Sequence, residues 1–98
     1  MDICYRLEGF EFEWNEAKAQ SNFEKHGVTF EEAAEVFLDP FHVVGDASAN
    51  QEVREFALGY SIAERLLLVA HLDRDTTIRI ISARVATRSE RKLYEQCR

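Results

Sequence analysis

A single proline, Pro40, divides the chain into two stretches of different hydrophobic period, and that division limits the possible folds more than any other feature. Before it, "VTFEEAAEVFLDP" places Phe30, Ala33, Ala34, Phe37 and Leu38 at the spacing of a helix with one buried face. Thr29 and Glu32 have the spacing of a capping box, Val28 and Ala33 that of a hydrophobic staple, and Pro40 ends the run. Further upstream, Asn15 is suited to cap a helix from Glu16 to about His26, which Gly27 can close in the left-handed conformation. Ala19, Phe23 and His26 form its narrow inward stripe, as expected of a helix lying on the surface.

After the proline the period changes to that of strands. "FHVVGD", "EVREFALGYS", "RLLLVAHLD" and "TIRIISARV" are separated by short polar or glycine-containing joints that suit hairpins. "LLLVA" is apolar on both strand faces, which places it in the middle of a sheet. Near the start of the chain, Phe10, Phe12 and Trp14 alternate with Glu11 and Glu13, the pattern of an opening strand. Thr87 and Glu90 make a second capping box before a closing helix, with Leu93, Tyr94 and Cys97 inward and Arg88, Arg91, Lys92 and Glu95 towards water. The expected architecture is α+β: a mostly antiparallel sheet of about four to five strands, two N-terminal helices and a C-terminal helix. Residues 1–98 are read as one domain, since 98 residues support a single core and no repeat or linker interrupts them.

Charge is unevenly distributed. The chain carries a net −6, yet residues 74–98 hold seven of its twelve Lys and Arg and stand at +4, leaving −10 for everything before. Such asymmetry points to a polyanion or an oppositely charged partner, or to a basic surface helix. No apolar run approaches the roughly 20 residues needed to cross a bilayer, and "MDICYRLEGF" lacks the pattern of a secretory signal, so no membrane association and a cytoplasmic location are expected. Cys4 and Cys97 lie near opposite termini without metal-ligand spacing; they read as two incidental thiols, although sequence leaves a bridge between them open.

No phosphate-binding glycine loop, nucleophile elbow or metalloprotease motif occurs, so the chemistry must rest on isolated polar residues. Lys25 and His26 end the first helix, where simple capping also explains them. His71 lies in the most apolar strand, where a hydrogen-bonded core histidine is the plainer reading. His42 has no evident role, and three scattered histidines give no metal set. Arg54, Arg79 and Arg84 fall inside expected strands. Glu52, Glu55 or Glu90 could pair with them, but three arginines leading into a basic helix face also suit an anion-binding sheet surface. Tyr60 and Tyr94 are the nearest aromatic rings for stacking, Tyr94 being the better placed to pack.

The ordered series "FEWNEAK", "NFEKHGVTFEEAAEVFLDP", "REFALGYS" and "IRIISARVATRSERKLYE" resembles the BrnT toxins of bacterial type II toxin-antitoxin systems over roughly residues 10 to 95. The matching positions are Lys25, His26, Gly27, Arg54, Gly59, Arg79, Ser82, Arg84, Ala86, Glu90 and Tyr94, with Asn15 and Val85 departing from the usual pattern. The resemblance implies a RelE-like ribonuclease that cuts RNA without a metal or other cofactor. It also implies a ribbon-helix-helix antitoxin, BrnA, through which the complex would bind operator DNA and repress its own operon. Cleavage would proceed by attack of the RNA 2′-hydroxyl on the adjacent phosphate, which needs a base, positive charge at the phosphoryl oxygens and a proton for the leaving oxygen. Arg79, Arg84 and Arg54 are then expected at the phosphate, His71 or His26 at the protons, and Lys25, Arg88 and Arg91 along the RNA. Two other classes remain in view: a catalytically inactive antitoxin-binding co-repressor, and a small RNA-binding module.

Overall fold

The computed structural model describes residues 1–48 and 53–96. Its first element is one that the sequence pattern had not suggested. Asp2–Leu7 forms a strand, β1, which turns through Glu8 and Gly9, both at positive φ (49° and 86°), into β2, Phe10–Asn15. A two-residue turn of this kind matches the twist of a hairpin. Ile3, Tyr5 and Leu7 alternate with Cys4 and Arg6, so the period-2 signal was present beside the Gly9 turn.

Helix α1, Glu16–His26, is capped as expected: the Lys18 amide donates to Asn15 Oδ1 at 3.0 Å, and Gly27 closes the helix at φ 68°. Its buried side differs from the expected one. Phe23 is 52% exposed, and Asn22 faces the sheet in its place. Helix α2, Phe30–Glu35, starts at Thr29, whose Oγ1 accepts from the Glu32 amide at 3.0 Å, and runs on into a 3-10 turn at Val36–Leu38. The Glu32 carboxylate turns away to Arg65, with which it forms an ion pair, and accepts from the Ser61 hydroxyl at 2.8 Å. Arg65 also donates to the Gly27 carbonyl at 3.0 Å, so one guanidinium joins a hairpin loop to the junction between two helices.

Strands β3 (Val43–Asp46), β4 (Glu55–Tyr60), β5 (Leu66–Arg74) and β6 (Thr77–Val85) follow, and α3, Arg88–Gln96, closes the described chain. The described residues form one six-stranded sheet of order β1-β2-β6-β5-β4-β3, one strand more than the upper expectation. Every neighbouring pair is antiparallel except β2 and β6, which run parallel. The apolar strand β5 lies between β4 and β6, as its two-sided pattern requires.

The sheet packs differently on its two faces. One face carries Phe12, Trp14, Ala57, Leu67, Val69, Ile80 and Ala83 and buries them against Val28, Phe30, Ala33, Ala34 and Phe37. On the other face a smaller cluster of Leu58, Leu66 and Tyr94 seats α3 over β4. Gly59 brings β4 close to the 3-10 turn: a Cβ there would lie 2.9 Å from His42 Cβ and 3.0 Å from Val36 Cγ1, too near for any other residue without movement. Tyr94 is buried and donates to Asp39 Oδ2 at 2.6 Å, whereas Leu93, expected inward, is 37% exposed. The expectations for Glu52 and Cys97 lie outside the described residues.

Candidate active site

An irregularity in β6 determines which side chains share a surface. Strict alternation would send Arg79 and Arg84 to opposite faces, because they are an odd number of residues apart. Along β5, however, Ala70 pairs with Ser82 and His71 with Ile80, so Ile81 is an extra residue and a bulge. Beyond it the facing reverses. Arg79 pairs with Leu72, Ser82 with Ala70 and Arg84 with Leu68, all on the side of the smaller cluster. Bulges often re-aim side chains in this way beside functional sites.

Neither arginine is isolated. Arg84 meets Glu90 in a two-pronged contact, Nη1 to Oε1 and Nη2 to Oε2, each at 2.8 Å. Glu90 Oε1 also accepts from the Thr87 amide at 2.9 Å while Thr87 Oγ1 accepts from the Glu90 amide at 3.2 Å, completing the second capping box. The Arg84 guanidinium holds the Glu90 carboxyl below its ordinary value, against the opposing effect of burial. Arg79 donates to Glu13 Oε2 at 2.7 Å and to both oxygens of Asp2, at 3.2 and 3.4 Å. Arg54 stands just before β4 rather than inside a strand; its amide donates to Ser48 Oγ at 3.1 Å. It lines, with Val53, Glu55, Leu72 and Asp73, a shallow cavity of about 460 Å³, and Leu72 is the cross-strand partner of Arg79.

The expected helix-end residues do meet β6. Beyond the short parallel pairing with β2, the free edge of β6 is covered by α1, and among the described residues the hydrogen bonds between the two elements run through one side chain, Asn22. Asn22 Oδ1 accepts from the Ala83 amide at 3.1 Å, and its Nδ2 donates to the carbonyls of Ala83 and Val28 at 2.9 and 3.0 Å. The amide thus supplies both halves of a ladder hydrogen-bond pair where no strand is present. A cleft of about 220 Å³ opens between the two elements, lined by Lys18, Ser21, Lys25 and His26 of α1 with Ile81 and Ser82 of β6. Among the described residues neither Lys18 nor Lys25 has an ion-pair partner. On α3, Arg88 is exposed near the Arg84–Glu90 pair, while Arg91 donates to the Tyr60 hydroxyl at 3.1 Å. Tyr60 in turn meets Tyr94 edge to face with ring centres 5.2 Å apart.

His71 is on the other face. It pairs across the strands with Ile80, is 2% exposed, and packs edge to face on Phe37 at 5.1 Å. Its Nδ1 lies 3.0 Å from Asp73 Oδ1; a carboxylate only accepts, so Nδ1 donates there, while Nε2 is buried without a hydrogen-bond partner. Glu55, His71 and Asp73 each offer a ligand atom within 4.8 Å of the others, which makes them the group best disposed to a metal ion among the described residues. The structure therefore groups Lys25 and His26 with Ser82, two residues from Arg84, and separates His71 from all four.

Sequence reasoning missed Lys18, Asn22 and Glu13. Lys18 and Lys25 are a helical i, i+7 pair and could have been found by spacing, whereas Asn22 carries no local signal.

The model of one family, described as the ribonuclease toxin BrnT of type II toxin-antitoxin systems, matches residues 14–90. Among solved structures, the ribonuclease toxin BrnT of Brucella abortus is similar at 28% identity with a TM-score of 0.63, over 76% of this chain and 94% of that one. No curated protein matches. With its matched segment spanning both α1 and β6, the cleft and the arginine-bearing strand included, the chain belongs to the BrnT family of type II toxin-antitoxin toxins.

Proposed function

We propose that the chain is a RelE-like endoribonuclease toxin of the cytoplasm that cuts RNA in the cleft between α1 and β6. One observation carries this reading: Lys18, Lys25 and His26 line one wall and Ser82 the other, two residues along the same face of β6 from Arg84. A phosphate entering the cleft meets cations that the protein has not itself neutralised.

The chemistry follows from these groups. His26 accepts the proton of the RNA 2′-hydroxyl as the 2′ oxygen bonds to phosphorus, and the bond from phosphorus to the 5′ oxygen breaks. The leaving oxygen takes a proton from solvent or from His26, and the products are a 2′,3′-cyclic phosphate and a 5′-hydroxyl. Lys25 and Arg84 balance the charge that builds on the phosphoryl oxygens, the step at which fixed donors contribute most. Arg79, Arg54, Lys18 and Arg88 hold the neighbouring backbone. His71, which this reading leaves outside the site, packs the core beneath Phe37. None of these steps calls on a metal ion. Neutralisation is assigned to a BrnA-like ribbon-helix-helix antitoxin, whose complex with the toxin binds the operator and represses it.

The test is cleavage of labelled RNA in EDTA by wild type, Lys25→Ala and His26→Ala proteins of equal melting temperature. Loss of at least about 100-fold in His26→Ala is expected of a proton-transfer group.

A second reading has its own support. Arg79 and Arg84 are both engaged by carboxylates of the same chain, as arginines of a purely structural sheet would be. A folded wild type that binds its antitoxin but cuts RNA neither alone nor on ribosomes would favour an inactive co-repressor.

A further inference from the structure

The two carboxylates on Arg79 are held in different ways. Glu13 is its Cα partner in the parallel pairing of β2 with β6, both side chains are largely covered, and the contact is 2.7 Å. Asp2 comes from β1, the edge strand; it is 55% exposed and reaches the guanidinium through two longer contacts, Nη1 to Oδ2 at 3.2 Å and Nη2 to Oδ1 at 3.4 Å. Two oxygens of one anion set across the two terminal nitrogens is the arrangement by which arginine also holds phosphate. Asp2, Cys4 and Arg6 point to the face that carries Arg79 and Arg84, as the pairings of Cys4 with Glu13 and of Glu13 with Arg79 require.

We propose that Asp2 is an intramolecular stand-in for an RNA phosphate at Arg79, so that strand β1 competes with the substrate and lowers the affinity of the site. The proposal rests on the ribonuclease reading above and deepens it. Glu13 is the tether that keeps the guanidinium in place; Asp2 covers the solvent-facing donors that a backbone phosphate must use. The competitor is displaceable because exposed ion pairs are weak and screened by salt. It is nevertheless positioned, since the Met1 carbonyl accepts from the Glu16 amide at 2.9 Å and pins the start of β1 beside α1. Asp2 and Glu13 both precede the family-matched segment, residues 14–90. The Asp2 carboxyl is held below its ordinary value chiefly by its hydrogen bond from Arg79, so the competitor is charged at neutral pH.

The experiment measures binding of a fluorescent single-stranded RNA whose 2′ positions are methylated, which removes cleavage from the readout. Wild type is compared with Asp2→Asn and with Glu31→Gln, a matched loss of one negative charge on α2, each with Arg79 intact and as Arg79→Ala. Asp2→Asn should tighten binding about two- to five-fold. It should also steepen the salt dependence by up to about 0.7 in the log–log slope, as one more phosphate contact does on a single strand. The gain should vanish with Arg79→Ala and should exceed that of Glu31→Gln. Binding that Asp2→Asn leaves unchanged, or improves equally in the Arg79→Ala background, overturns the proposal and leaves the ribonuclease reading standing. If none of the proteins binds RNA, the ribonuclease reading falls and the proposal with it.

Discussion

The amide of Asn22 takes the place of a strand at the edge of β6, and the cleft owes its shape to that substitution. Truncating it leaves the amide and carbonyl of Ala83 buried without partners, each a full desolvation loss. Asn22→Ala should therefore cost about 3 kcal/mol in denaturant unfolding. Its half-exposed neighbour should matter less: Phe23→Ala is expected to cost under about 1 kcal/mol. Equal losses would mean that α1 docks by its apolar side after all. The sequence suggested the reverse order, because an Asn in a helix reads as polar surface and a Phe as core, and nothing local says that a strand edge 61 residues away needs a donor and an acceptor. Lys25 and His26 were legible because helix ends favour positive charge. The position of His71 was legible too, since the apolar strand around it announced burial.

Between elements, capping carried most of what could be read in advance. Asn15, Thr29 and Thr87 all accept the expected amide hydrogen bonds. The bulge at Ile81 could not be read, because an extra residue leaves alternation intact on either side and is visible only against its partner strand. It nevertheless decides that Arg79 and Arg84 share a face. The Arg84–Glu90 pair then links the end of β6 to the start of α3, and its acid response has a definite sign. Glu90, Glu32 and Asp39 are all held below their ordinary values of 4.5, 4.5 and 3.8. For Glu90 and Glu32 the cause is hydrogen bonding to Arg84 and Arg65; for Asp39 burial pushes upward but is outweighed by donors from Tyr94, Tyr60 and Phe41. A lowered folded value gives stability that is complete above the ordinary value and lost as pH falls through the folded one. Unfolding free energy should thus be level from neutral pH down to about 5 and drop below that. Glu90→Gln should make the drop shallower, and an unchanged acid profile for that variant would show that the pair contributes nothing to folding.

Over the whole molecule, the charge count in the sequence overstates how many cations of one corner are unpaired. Residues 74–98 hold most of the cations, but Arg74, Arg79 and Arg84 each meet a carboxylate of the same chain. Among the described residues the cations without an ion-pair partner are Lys18 and Lys25 on α1 together with Arg88, Arg91 and Lys92 on α3, whereas Arg79 and Arg84 must share or release a carboxylate to take up a phosphate. A net charge counts groups without saying which cancel, and only the fold brings Glu13 and Glu90 to the arginines. RNA affinity should fall with salt at a log–log slope near −2, about 0.7 for each of three phosphates, and Lys25→Ala should reduce that slope by one such increment. No helix among the described residues is long and apolar enough to cross a membrane. Whether the cleft between α1 and β6 cuts RNA is decided by a cleavage time course in EDTA on a labelled RNA and on the same sequence as DNA. Wild type should cut the RNA to a cyclic phosphate and leave the DNA whole, with His26→Ala inactive at an unchanged melting temperature. Cutting of both strands alike would mean that the 2′-hydroxyl takes no part in cleavage as proposed, and full activity in His26→Ala would mean the same of His26.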